Sequence, residues 1–177
     1  MKPLKIAVIA AAAGAILTAA LWPKTIEFAR HPEISATSTV ADADPGGHLA
    51  LDAARAARLN AYFKARGMPL EGQGELLAVV ARENGLDWRL LPAIAIREST
   101  GGKQACGYNP FGWNSCRGEA GQFDSWEDAI RTVGKALGSG RYYAGKTVTQ
   151  KLQTYNPPSI VPDYAMEVIR IMEDIWE

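Results

Sequence analysis

Apolar positions in the C-terminal two-thirds of the chain recur at the spacing of amphipathic helices, three and four residues apart. Residues 49–66 are Ala-rich and offer Leu51, Leu59, Tyr62 and Phe63 for packing, so they read as a helix that Gly67-Met68-Pro69-Leu70 stops. Residues 75–84 form a second helix, closed by Gly85 where a left-handed cap residue is preferred. Asp87 is the expected N-cap of a third helix, whose mostly apolar run reaches Glu98 before Ser99-Thr100-Gly101-Gly102 breaks it. Residues 102–122 are rich in Gly, Asn and aromatics and read as a loop lobe with a short hairpin. Ser125 is a good N-cap for a helix over 126–137, a short helix follows at Val148–Tyr155, and a last one runs over Tyr164–Trp176. The expected fold class is mainly α: one helical domain over residues 49–177, about 125–130 residues, a usual domain size.

The pattern ahead of this domain is different. Lys2 and Lys5 precede an uncharged apolar run over 6–21, so residues 1–22 read as an export signal or a membrane anchor. Thr18-Ala19-Ala20 is a small-residue cleavage candidate. Either reading places the remainder outside the cytoplasm, exported to the cell envelope or beyond. Residues 23–48 hold few large apolar side chains and read as a flexible linker.

Composition narrows the chemistry. With 177 residues and 47% hydrophobic content, the chain can build one real core. Its 19 basic and 19 acidic residues balance, without the basic excess of a nucleic-acid binder, and none is expected as a partner. The two histidines, His31 and His48, both precede the domain. A His-based zinc site and Ser-His or Cys-His catalysis inside it are therefore not expected, and no metal or cofactor is. Carboxylate chemistry is left.

Glu98 is the residue on which that chemistry centres. On a helix, Leu91, Ile94, Ala95 and Glu98 share one face, the face that should be buried. Burial disfavours the ionised carboxyl and raises its pKa. A carboxyl that keeps its proton near neutral pH is what a glycosidase needs as general acid. The plainer alternative is a helix-end Glu that caps or pairs with Arg97 or Lys103.

Cys106 and Cys116 sit in the loop that follows. An even pair at short spacing outside the cytoplasm reads as a disulfide, and with no His in the domain a nucleophilic Cys lacks its base. Such a staple would rigidify Tyr108-Asn109-Pro110-Phe111-Gly112-Trp113. Phe111 and Trp126 read as core first; Tyr108 and Trp113, beside Gly and Asn, suit stacking on the C–H faces of sugar rings.

Four stretches resemble the lysozyme-like superfamily of peptidoglycan hydrolases, closest to the bacterial glucosaminidase group, the mannosyl-glycoprotein endo-beta-N-acetylglucosaminidase-like domains. They are A-I-A-I-R-E-S-T-G-G (93–102), Y-N-P-F-G-W (108–113), F-D-S-W-E-D-A-I (123–130) and Y-N-P-P-S (155–159) with Tyr164 following. The resemblance implies a lysozyme-like helical fold with a cleft, Glu98 as general acid, and Tyr155 near that acid as a hydrogen-bonding phenol. It implies Ser99, Tyr108, Asn109, Phe111 and Trp113 as candidate sugar-binding residues. The family's second carboxylate has no clear counterpart. Glu119 and Asp124 are the candidates, with Glu119 preferred because Asp124 precedes Ser125 and can join the helix cap. If neither reaches the cleft, a one-acid course is expected, as in lytic transglycosylases, which use the sugar's own 6-hydroxyl in place of water.

The expected activity is cleavage of the peptidoglycan glycan backbone, of the endo-beta-N-acetylglucosaminidase type, with glycan strands as partner, a monomeric chain, and membrane contact only through the N-terminal segment. A non-catalytic glycan-binding envelope domain, or a small anchored scaffold partner, is the alternative class.

Overall fold

The computed structural model describes residues 45–116 and 122–177. The apolar run at 6–21, the linker as far as residue 44, and Glu119 lie outside them. The described residues form six α-helices and no strand: α1 (Pro45–Ala65), α2 (Gly74–Glu83), α3 (Leu90–Ser99), α4 (Trp126–Ser139), α5 (Val148–Tyr155) and α6 (Tyr164–Trp176). None of these helices is long and apolar enough to cross a membrane.

α3 is the axis of the core. Leu90, Leu91, Ala93, Ile94 and Ala95 are all fully buried, and both α6 and α2 pack against this helix. α1 covers α2 and touches α6, α4 lies on α2, and α5 lies on α6. Each helix contributes a stripe at helical spacing. α4 gives Ile130, Val133 and Leu137; α6 gives Tyr164, Val168, Met172 and Ile175. Each fully buried Leu or Ile contributes roughly 1.5–3 kcal/mol relative to exposure. α2 and α4 approach closely at Gly134, where a Cβ would run into the Val80 side chain.

One ion pair ties the outer layer. Asp52 on α1 is 4% exposed and accepts from Arg82 Nε on α2 at 2.7 Å and from Arg55 at 3.4 Å. A carboxylate this deep is tolerable because both oxygens are hydrogen-bonded to cations.

The helix boundaries follow the periodicity, with three differences. α1 begins at Pro45, earlier than residue 49, since Pro is well suited to a first helical turn. α3 has Arg89, not Asp87, at its N-cap position. Asp87 instead closes a turn one step earlier, accepting from the Arg89 backbone N–H at 2.9 Å and from its guanidinium at 2.9 and 2.6 Å. The expected hairpin in 102–122 reduces, among the described residues, to a single antiparallel bridge between Cys106 and Asn109. Gly107, Pro110 and Gly112 leave too few consecutive paired residues for a ladder. Ser125 caps α4 as expected, its Oγ accepting from the Asp128 N–H.

Candidate active site

The site is built where α3 ends. Thr100 takes a left-handed conformation (φ 54°), an uncommon place for a β-branched residue, and Gly101 and Gly102 carry the reversal on at φ 64° and 100°. Backbone strain of this kind persists only where surrounding contacts hold it. Ser99 supplies several. It is buried, its Oγ accepts from the Gly102 N–H at 3.0 Å, and the hydroxyl lies 2.7 Å from the Pro110 carbonyl and 3.0 Å from that of Ala95. Its role is to pin the following loop to the helix end, and its hydrogen-bonding capacity is committed there.

That loop folds back over α3. The buried Asn109 side chain clamps Trp113, accepting from its N–H at 3.0 Å and donating to its carbonyl at 2.9 Å. A Cys106–Cys116 disulfide closes the lobe, with Cα atoms 6.3 Å apart, within the usual span. Inside it, Gly112 (φ 61°) passes directly over the catalytic candidate: a Cβ there would sit 3.2 Å from Glu98 Oε2. Glycine is required at this point both by its backbone conformation and by the carboxyl beneath it.

Glu98 itself is half-buried at the last turn of α3. Burial raises its pKa above the ordinary carboxyl range; the Tyr164 hydroxyl and the charge of Arg97 pull the other way without cancelling it. Neither plain alternative for this residue applies. Arg97 pairs with Glu167 at 2.6 Å, and the Lys103 ammonium donates to the Arg66 carbonyl.

Two phenols stand beside the carboxyl. Tyr155 stacks on Tyr164 with centroids 6.0 Å apart and planes 5° from parallel. The Tyr155 hydroxyl donates to the Phe111 carbonyl at 2.6 Å, so its proton is committed to the loop. Tyr164 is 1% exposed, and its buried hydroxyl forms no completed hydrogen bond. It nevertheless lies close enough to Glu98 for the two groups to shift each other's titration. Burial and the neighbouring carboxyl push both phenols well above the ordinary tyrosine range, so both remain neutral donors. Tyr164, which opens the buried stripe of α6, is thus a second phenol near the acid, beside the Tyr155 that the resemblance implies.

A groove of about 370 Å³ opens beside this cluster, lined by Gly112, Trp113, Asn114, Tyr142, Tyr143 and Tyr155. Trp113 packs on Tyr155 and Tyr143 at 5.7 and 6.4 Å. Asn114 and Ser115 turn the rim through left-handed conformations. Lys151 was not singled out in the sequence, yet it supports the wall. This buried ammonium donates to the carbonyls of Leu137 and Tyr143, fixing the loop that carries Tyr142 and Tyr143. A lysine beside Leu152 on a short helix is its only sequence signal.

The structure brings Glu98, Tyr155 and Trp113 together. It sets Phe111 in the core with its carbonyl toward Tyr155, and Asn109 beneath the loop. Tyr108 is exposed on the disulfide side, edge-on to Trp126 at 5.3 Å, away from the groove. Asp124 is exposed at the start of α4, where its N–H donates to Asp128. A larger cavity, about 560 Å³, lies between α1 and the end of α6, bordered by Arg58, Tyr62, Arg66 and Asp174. Its carboxyl groups, Asp174 and Glu177, are exposed, so the smaller groove beside the half-buried Glu98 is the better candidate for chemistry. Comparison of the chain with protein-family models, with curated proteins and with solved structures finds no match.

Proposed function

We propose that this chain cleaves the glycan backbone of peptidoglycan, with Glu98 as general acid, in a helical domain of the lysozyme-like kind. The observation that carries the reading is a half-buried carboxyl, held above its ordinary pKa by burial, beside a groove walled by Trp113, Tyr142 and Tyr143. A protonated Glu98 donates its proton to the glycosidic oxygen as the C1–O bond breaks and positive charge develops on the sugar ring. The carboxylate left behind is the state that the nearby Tyr164 hydroxyl favours, because an O–H dipole close to the charged form lowers a carboxyl pKa. One phenol therefore moderates the acid, and burial favours the protonated form that its first step needs.

Among the described residues, which do not include Glu119, the groups that act on the titration of Glu98 are Tyr164 and Arg97, with no second carboxylate among them, and this favours a single-acid course. In that course the Glu98 carboxylate then accepts the proton of the sugar's 6-hydroxyl as its oxygen attacks C1, giving an anhydro product. Hydrolysis of the glucosaminidase type requires a partner carboxylate, for which Glu119 stands ahead of the exposed Asp124. The disulfide accords with an exported protein, where such bonds persist.

The deciding experiment digests purified peptidoglycan with the full chain and identifies product ends by mass spectrometry. Anhydro ends support the single-acid course. Reducing ends whose formation Glu119→Gln abolishes support hydrolysis. A glycan left uncut rules the proposal out.

A further inference from the structure

The charge of this chain is balanced overall but not locally. From residue 129 to residue 162 the sequence carries Arg131, Lys135, Arg141, Lys146 and Lys151 and no Asp or Glu. Two of these cations are occupied by the fold: Arg131 pairs with Glu127 along α4, and Lys151 is buried on backbone carbonyls. Lys135 borders a different cavity, beside Glu83. Arg141 and Lys146 are left on the segment that walls the groove, and both are exposed. Lys146 donates to the Thr154 hydroxyl, next to Tyr155.

Arg141 is the better placed of the two. Its guanidinium lies over the ring of Tyr142, 4.4 Å from the centroid, and bonds the Tyr142 hydroxyl. Tyr142 lines the groove and is 59% exposed. The guanidinium is thus held at the rim by an aromatic face and forms no ion pair among the described residues. Among the described residues, those that line the groove include no acidic side chain, and Glu98 lies beneath Gly112. An exposed guanidinium fixed beside aromatic platforms matches a carboxylate attached to a sugar ring.

We propose that Arg141 binds a carboxylate carried by the saccharide, so that the groove selects an acidic glycan over a neutral one of equal length. The inference rests on reading the groove as a glycan site. It adds the charge of the preferred substrate and the residue that reads it.

The test uses the full chain with Glu98→Gln, so that ligands are not consumed. Two ligands are compared by calorimetry at low salt. One is a tetrasaccharide of alternating N-acetylglucosamine and N-acetylmuramic acid with free lactyl carboxylates; the other is the same tetrasaccharide with those carboxylates converted to primary amides. The free acid is expected to bind about 5–10-fold more tightly, the scale of an exposed but well-oriented charge pair. Adding Arg141→Gln should bring the two affinities within about twofold of each other, with an unchanged thermal midpoint. Equal affinities with Arg141 intact, an acid preference that survives Arg141→Gln, or binding of neither saccharide would each overturn the assignment. The amide ligand keeps the test independent of how the variant folds. Discrimination lost while wild type still cuts peptidoglycan removes this inference alone. Discrimination present in a wild-type chain that cuts nothing removes the catalytic reading and leaves the binding assignment standing.

Discussion

Asp87 and Glu98 stand at the two ends of α3, both partly buried, and burial pushes both carboxyls up. They finish on opposite sides of the ordinary range. At Asp87, burial is the largest single influence, yet it is outweighed by the Arg89 guanidinium bonds, the Arg89 backbone N–H and the guanidinium charge together, so the carboxyl ends low. At Glu98 the neighbouring cation, Arg97, is turned to Glu167, and its charge together with the Tyr164 hydroxyl does not offset burial, so burial prevails. The same desolvation therefore leaves the carboxyl lowered at one end of the helix and raised at the other. The difference lies in where the adjacent arginine is engaged, two residues on in one case and one residue back in the other.

The strongest break in this comparison is Glu98→Gln. It keeps the shape and removes the proton, and should reduce glycan cleavage at least about 100-fold, the low end for general acid catalysis. Product release from purified peptidoglycan measures it, and near wild-type turnover would sink the acid assignment. Next is the staple over the Glu98 end. Reduction of Cys106–Cys116, or Cys106→Ser with Cys116→Ser, should cost about 2–3 kcal/mol of stability for a loop of this length. Denaturant melts with and without reductant read this directly; coincident midpoints would contradict it.

Stability against pH separates the two carboxyls by sign. Asp87 is depressed, so its contribution is present above the ordinary carboxyl range and is lost as pH falls through its folded pKa. Asp87→Asn should therefore destabilise by about 1–2 kcal/mol at neutral pH, with the deficit closing in acid. Glu98 is raised, so the folded state holds a proton that the unfolded chain has released, and stability falls as pH rises from the ordinary carboxyl range through the raised value. Glu98→Gln should accordingly be at least as stable as wild type at neutral pH, and the two should converge in acid. Thermal midpoints across pH showing both substitutions with the same sign would refute the contrast.

The smallest expected effect sharpens the Glu98 end alone. Tyr164→Phe removes the hydroxyl that favours the carboxylate, so the alkaline limb of the pH–activity profile should move to higher pH. Because that hydroxyl forms no completed hydrogen bond, stability should change little. A limb that stays in place, or moves to lower pH, would show that Tyr164 does not act on the acid.

Much of this was legible in the chain. The spacing of Leu91, Ile94, Ala95 and Glu98 put the carboxyl on the buried face, Ser125 marked the start of α4, and two cysteines in a Gly-rich loop marked the disulfide. The hairpin was not legible, because whether short extended pieces pair depends on what their side chains find elsewhere; here Asn109 takes up the Trp113 backbone instead. Asp87 misled for a related reason: an Asp before a helix can cap it or close the preceding turn, and the Arg89 guanidinium decided.

The sequence by itself determined the helical class, the helix spans and the face on which Glu98 lies, since these depend on periodicities and caps within a few residues. Only the tertiary structure decided that Tyr164 faces the acid while Tyr155 serves Phe111, that Gly112 closes over the carboxyl, and that Lys151 braces the aromatic wall. Those encounters join residues far apart in the chain, and which of two neighbouring phenols meets a carboxyl depends on how α3, α5 and α6 pack, a relation that no local pattern records.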